Sequence, residues 1–198
     1  MPENNLYRTY LNEDGEEDLF TVFIIHGKSN EWKKVKKFIN VKLTFATVVL
    51  IEESEAGILL DLFKDSIWED CDCAVAIMSP DEKLENGRFF SRQNVLYEIG
   101  YCQGFWDHYH SEEDLECVFL VKEETVEINS DINGFKVIPY TNGKIRKTYQ
   151  QLETVLENLY FYLDETKEVL LPTTNTIKRQ SKVLQKKSKV SLRMVRKK

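Results

Sequence analysis

Four short runs constrain this chain more than any other feature: residues 21–26 (TVFIIH), 46–51 (ATVVLI), 71–78 (CDCAVAIM) and 116–121 (ECVFLV). Each is almost continuously apolar, without the in–out alternation of a strand that has one wet face. Such runs suit a parallel sheet covered on both sides. A weaker fifth strand is predicted at 135–139, after the Asn133-Gly134 turn. Helical patterns alternate with the strands. Ser29 or Asn30 is placed to cap a helix through Ile39, whose inner stripe is Trp32, Val35, Phe38 and Ile39. A second stripe is Ile58, Leu59, Leu62, Phe63 and Ile67, and a third is Val95, Ile99, Cys102 and Trp106. The last comprises Ile145, Tyr149, Leu152, Leu156, Leu159 and Leu163. Strands alternating with helices imply right-handed βαβ units, hence an α/β doubly wound sheet. Five strands in about 150 residues point to the flavodoxin-like order 2-1-3-4-5, in which ligands sit beyond the carboxyl ends of the strands.

Charge divides the chain. Of the 27 Lys and Arg, ten lie in 172–198 with no acid, leaving 17 bases against 33 acids and a net charge of −16 in 1–171. The expected organisation is an acidic N-terminal extension (1–20), one domain (21–166), and a linker with a flexible basic tail (167–198). An acidic globule is a poor nucleic-acid-binding core, so only the tail is suited to contact nucleic acid or an anionic surface. No apolar run approaches the roughly 20 residues of a membrane-spanning helix, and the acidic, polar N-terminus does not resemble a targeting signal. A cytoplasmic protein is expected. Cys71, Cys73, Cys102 and Cys117 all fall inside apolar elements and form no Cys-x-x-Cys pair, and His26, His108 and His110 are not grouped with them. No metal site is expected.

Two segments could carry chemistry. His26-Gly27-Lys28-Ser29 ends the first strand. Glycine permits a tight turn there, the next helix offers free N–H groups to an anion, and Lys28 adds positive charge. An ordinary strand-to-helix turn would look the same. The second segment is Arg92-Gln93-Asn94-Val95-Leu96-Tyr97-Glu98-Ile99-Gly100-Tyr101. At about 100° per residue, Glu98 falls between Cys102 and Phe105, inside the apolar stripe. A desolvated carboxylate has a partner or a purpose, and periodicity does not choose between them. Arg92 and Asn94 lie nearby, one turn or so earlier. The run Glu52-Glu53-Ser54-Glu55 fits a solvated loop, and Trp68 fits a tryptophan covering the core.

Together these segments resemble a TIR-like domain of the bacterial predicted nucleotide-binding group, the effectors of cyclic-nucleotide anti-phage defence. The matching stretches are VFIIHGKSNEWKKVKKFI, DCAVAIMSPDE, RQNVLYEIGYCQG and INSDINGFKVIPY. The resemblance implies that Glu98 is the catalytic residue and that Arg92 and Asn94 belong to its motif. It also implies that His26, Gly27 and Lys28 face the nucleotide and that Asp131 belongs to the loop before the last strand. Glu53-Ser54-Glu55-Ala56-Gly57 stands where the family has a glycine-rich segment.

The implied activity is hydrolysis of the nicotinamide–ribose bond of NAD+, a substrate and not a cofactor, in a defence effector that depletes NAD+. Self-association is implied too, along with a cyclic-nucleotide or protein activator. Two other functions fit the same features: a non-catalytic TIR-type self-association module, and a nucleoside deoxyribosyltransferase-like enzyme that also cleaves an N-glycosidic bond with a glutamate.

Overall fold

The computed structural model describes residues 10–11, 17–50, 71–110, 115–128 and 134–170. The chain divides into two compact units, Met1–Glu157 and Asn158–Lys198. The first contains β1 (Phe20–His26), α1 (Glu31–Lys42), β2 (Ala46–Val49), β3 (Cys73–Met78), α2 (Gln93–Tyr109), β4 (Val118–Glu123) and β5 (Lys136–Tyr140). A 3-10 turn, Ile145–Thr148, then leads into α3 (Tyr149–Leu170), whose residues from 158 on belong to the second unit.

The sheet has the expected topology. Its order is β2-β1-β3-β4-β5 and every pairing is parallel. Every residue of β3 is buried, as a central strand covered on both faces requires. Right-handed connections run from β1 to β2 in one direction and from β3 to β4 in the other, which sets α1 and α2 on opposite faces. Helix α1 packs on β1 and β2, and α2 on β1, β3 and β4. Val35, Phe38 and Ile39 are the buried side of α1, and Val95, Ile99, Cys102 and Trp106 that of α2, as the stripes predict. Tyr149, at the start of α3, stacks on Phe38 with ring centroids 4.1 Å apart and donates its hydroxyl to the Lys34 carbonyl.

Strand ends differ from the expectations where polar groups take over the pairing. Hydrophobicity ends the fourth strand at Val121, yet β4 continues to Glu123, whose carboxylate accepts from the Thr125 and Asn142 N–H groups. Strand β5 contains Pro139, which its edge position tolerates because one side of an edge strand needs no donor. Asp72 precedes β3 and accepts from the Thr21 N–H at 2.7 Å, so β3 begins at Cys73.

Short antiparallel ribbons pair Tyr10–Leu11 with Glu17–Asp18 and Glu82–Lys83 with Phe89–Phe90. The second turns at Gly87 (φ +83°) and joins β3 to α2. Residues 51–70, Asp131 and the basic tail lie outside the described residues, and with them the second helical stripe, Trp68 and the acidic run. Among the described residues no helix is long and apolar enough to cross a membrane.

Candidate functional site

Strand order reverses between β1 and β3; β1 ends in His26, and β3 ends in Met78 with the buried Ser79 directly after it. His26 closes β1 opposite Ile77 of β3. Its ring stacks on Trp32 with centroids 4.2 Å apart, and Nδ1 lies 2.9 Å from the Gly27 carbonyl, where Nδ1–H donates. Gly27 is buried and Lys28 exposed.

The turn between them is held by a side chain that the sequence reading assigns no role. Asp81, just past β3, accepts through Oδ1 from the Lys28 N–H (3.2 Å) and the Ser79 hydroxyl (2.9 Å). A Cβ on Gly27 would collide with Asp81 Oδ2, so glycine is required for this close approach. Backbone bonds from the Asp81 N–H to the Ser79 and Phe90 carbonyls fix the residue between β3 and the ribbon. A carboxylate therefore takes up an N–H of the turn that sequence reasoning offered to an anion. Asp81 could be singled out only through topology, because it lies three residues past the strand at the switch point.

Helix α2 begins beside the end of β3, where the Ser91 hydroxyl donates to the Ser79 carbonyl at 3.3 Å. Arg92 is the N-cap, half-buried and extended in backbone (φ −53°, ψ 141°), and Asn94 is exposed in the first turn. Glu98 is half-buried one turn further, and one turn before the buried Cys102. Burial pushes the Cys102 thiol well above its usual pKa, and the neighbouring Glu98 carboxylate pushes it further. The helical wheel places Glu98 inside the apolar stripe; the structure leaves it half-buried, beside the fully buried Val95, Ile99 and Cys102.

A second polar group sits at the ends of β4 and β5. Glu123 is 3% exposed and pairs in register with Tyr140, also 3% exposed. Burial raises the Tyr140 pKa most, followed by the carboxylates of Glu31, Glu123 and Asp81. Glu31, in the first turn of α1, binds Lys34 through Oε1 at 2.6 Å. Sequence reading missed Glu31, Glu123 and Tyr140, because each lies on a different element and only the sheet order joins them. Among the described residues no group of three His, Cys, Asp or Glu side chains is arranged to hold a metal.

The family model described as CAP12/Pycsar effector protein, TIR domain, matches residues 21–142, more than half of the chain. The chain is 28% identical over 138 residues to Protein tirC of Dictyostelium discoideum, across 65% of this chain and 68% of that protein. It is also 28% identical over 119 residues to Uncharacterized protein YuaY of Escherichia coli (strain K12). That second match covers 57% of this chain but only 37% of YuaY.

Proposed function

The chain belongs to the CAP12/Pycsar effector TIR-domain family, and from that premise we propose that it hydrolyses NAD+ to nicotinamide and ADP-ribose as a defence effector that depletes NAD+. The observation that carries this reading is the half-buried Glu98, beside the buried Cys102 thiol on the helix that starts at the switch point.

The chemistry needs one well-placed carboxylate. The bond from ribose C1′ to the pyridinium nitrogen breaks and its electron pair goes to the ring, so nicotinamide leaves neutral without a general acid. An oxocarbenium-like centre develops on the ribose. In the proposed mechanism Glu98 stabilises that charge from a poorly hydrated position, where a fixed carboxylate acts more strongly than in water. Water then adds at C1′ and releases one proton. Lys28 and Arg92 supply positive charge to the pyrophosphate, Asn94 offers an amide at the start of the same helix, and His26 and Gly27 shape the facing turn.

Copies of the chain are proposed to self-associate, with a cyclic nucleotide or a protein as activator. The basic tail is proposed to contact nucleic acid or an anionic surface.

The test is incubation of the purified protein with NAD+, with and without cyclic nucleotides, over a hundredfold range of protein concentration. Product chromatography should show equimolar nicotinamide and ADP-ribose or its cyclised form, with specific activity rising with concentration or activator. Intact NAD+ under every condition, in a protein that still assembles, would leave the non-catalytic module as the function. Cleavage of deoxynucleosides in place of NAD+ would favour the deoxyribosyltransferase-like enzyme.

A further inference from the structure

Helix α1 is a basic element in an acidic chain. It carries Lys33, Lys34, Lys36, Lys37 and Lys42 against the single acid Glu31, within a segment 1–171 whose net charge is −16. Helix stability accounts for Lys34, paired with Glu31, and for Lys42 in the last turn. It does not account for Lys33 and Lys37. Lys33 stands in the first turn, where the helix dipole favours an acid, and the two repel each other at i,i+4. Both are exposed. The 3-10 turn Ile145–Thr148 packs on α1. Tyr149, which follows it, is held there by its stack on Phe38 and its bond to the Lys34 carbonyl. This turn and the residue before it add exposed Lys144, Arg146 and Lys147, and Lys28 is exposed just ahead of α1. Among the described residues the neighbouring acids are mostly engaged. Glu31 binds Lys34, Asp81 and Glu123 accept from backbone N–H groups, Glu124 accepts from the Thr141 hydroxyl, and Glu153 is half-buried. The exposed cations therefore dominate this face.

Opposite charge gathers at the other end of β1. The run Glu13-Asp14-Gly15-Glu16-Glu17-Asp18 holds five acids in six residues. Its last two residues pair with Leu11 and Tyr10, and Asp18 lies two residues before Phe20, the amino end of β1. Lys28 lies two residues past His26, the carboxyl end. The seven residues of β1 set these ends about 20 Å apart. Charges held apart in one copy can meet between two, the acidic end of one copy against the basic face of the next. Such a contact is heterologous and leaves each copy one free end, so it propagates head to tail.

We propose that α1 and the adjoining 3-10 turn form the surface on which one copy of this chain seats the acidic segment 13–18 of another. This rests on the self-association reading and is tested without substrate. Sedimentation velocity is run on the full chain over a hundredfold concentration range, at about 0.05 and 0.5 M salt. The samples are the natural protein, Lys33→Glu/Lys37→Glu, Glu17→Lys/Asp18→Lys, and an equimolar mixture of the two variants, each with a thermal melt. The natural chain should assemble, about tenfold more weakly at the higher salt. Each variant alone should associate about 100-fold more weakly, because like charges then face each other. The milder Lys33→Gln/Lys37→Gln should lose about tenfold. The mixture should assemble again, since each variant's segment is opposite in charge to the other's face. Variants that assemble at natural strength, or a mixture no better than its parts, would overturn this contact and leave self-association standing. A natural chain that is monomeric throughout would overturn both. Loss in the α1 variant alone would give that face to another polyanion, nucleic acid included. Loss in the acidic variant alone would give the segment to the basic tail, and either result overturns the proposal.

Discussion

In the middle of the sheet, β1, β3 and β4 bury Ile25, Ile77 and Leu120 among apolar neighbours. Two residues beyond Ile77 and Val121, at the ends of β3 and β4, the chain buries Ser79 and Glu123 instead. The same strands thus serve two ends. The middle gains from every side chain it hides, at about 1.5–3 kcal/mol for a full-sized aliphatic. At the carboxyl edge buried polar groups must be matched one by one, and among the described residues Asp81 Oδ2 and Glu31 Oε2 have no match. Stability is concentrated in the first region and chemical specificity in the second. Substitutions in the two should therefore differ in kind.

The largest loss of stability is expected in the middle. Leu120 is fully buried on β4, paired with Ala76 of β3 and Val137 of β5. Leu120→Ala should cost about 2–5 kcal/mol in denaturant unfolding, because the lost transfer energy adds to that of a cavity the sheet cannot collapse. A loss below 1 kcal/mol would mean that the middle is not the stable half. At the edge, Gly27→Ala should cost about 1–3 kcal/mol by a different route. The new methyl displaces Asp81, which is the end of a side chain but one anchored to the Lys28 N–H and the Ser79 hydroxyl. If Asp81→Ala in the Gly27→Ala background removed no further stability, the two effects would be one, as this contact requires.

A smaller effect appears only in alkali. Burial, then Glu31, Glu123 and Asp81, raises the folded pKa of Tyr140 above its unfolded value of about 10. The folded state therefore holds the phenolic proton more tightly. This contribution is fully present below pH of about 10 and is lost as pH rises toward the raised value. Melting temperature should stay flat from neutral pH to about 9 and fall above 10, with less of a fall in Tyr140→Phe. An identical alkaline decline in that variant would separate Tyr140 from the effect.

The fold was legible because its signal is local and repeated. Runs such as CAVAIM admit few positions other than a central strand, and Val95, Ile99, Cys102 and Trp106 mark one helical face. The position of Glu98 followed from the same periodicity. The other half of the edge was not legible. Asp81 meets Gly27, and Tyr140 pairs with Glu123, only after strands far apart in sequence are placed side by side. Strand ends were misjudged for a related reason: apolarity marks where a core stops, whereas β4 continues while Glu123 finds N–H donors.

Glu98→Gln should change stability least of all and activity most. The substitution keeps the shape and removes one negative charge from a half-buried place on α2. Unfolding free energy should stay within about 0.5 kcal/mol of the natural protein or rise slightly, since a functional carboxylate in a desolvated place weakens the fold that holds it. Nicotinamide release from NAD+, measured on the same sample, should fall by about a thousandfold, as when a fixed group stabilising the transition state is removed. A variant that stays folded and cleaves NAD+ at the natural rate would contradict the account. So would one destabilised by about 3 kcal/mol or more whose remaining activity follows its folded fraction, the mark of a structural ion-pair partner.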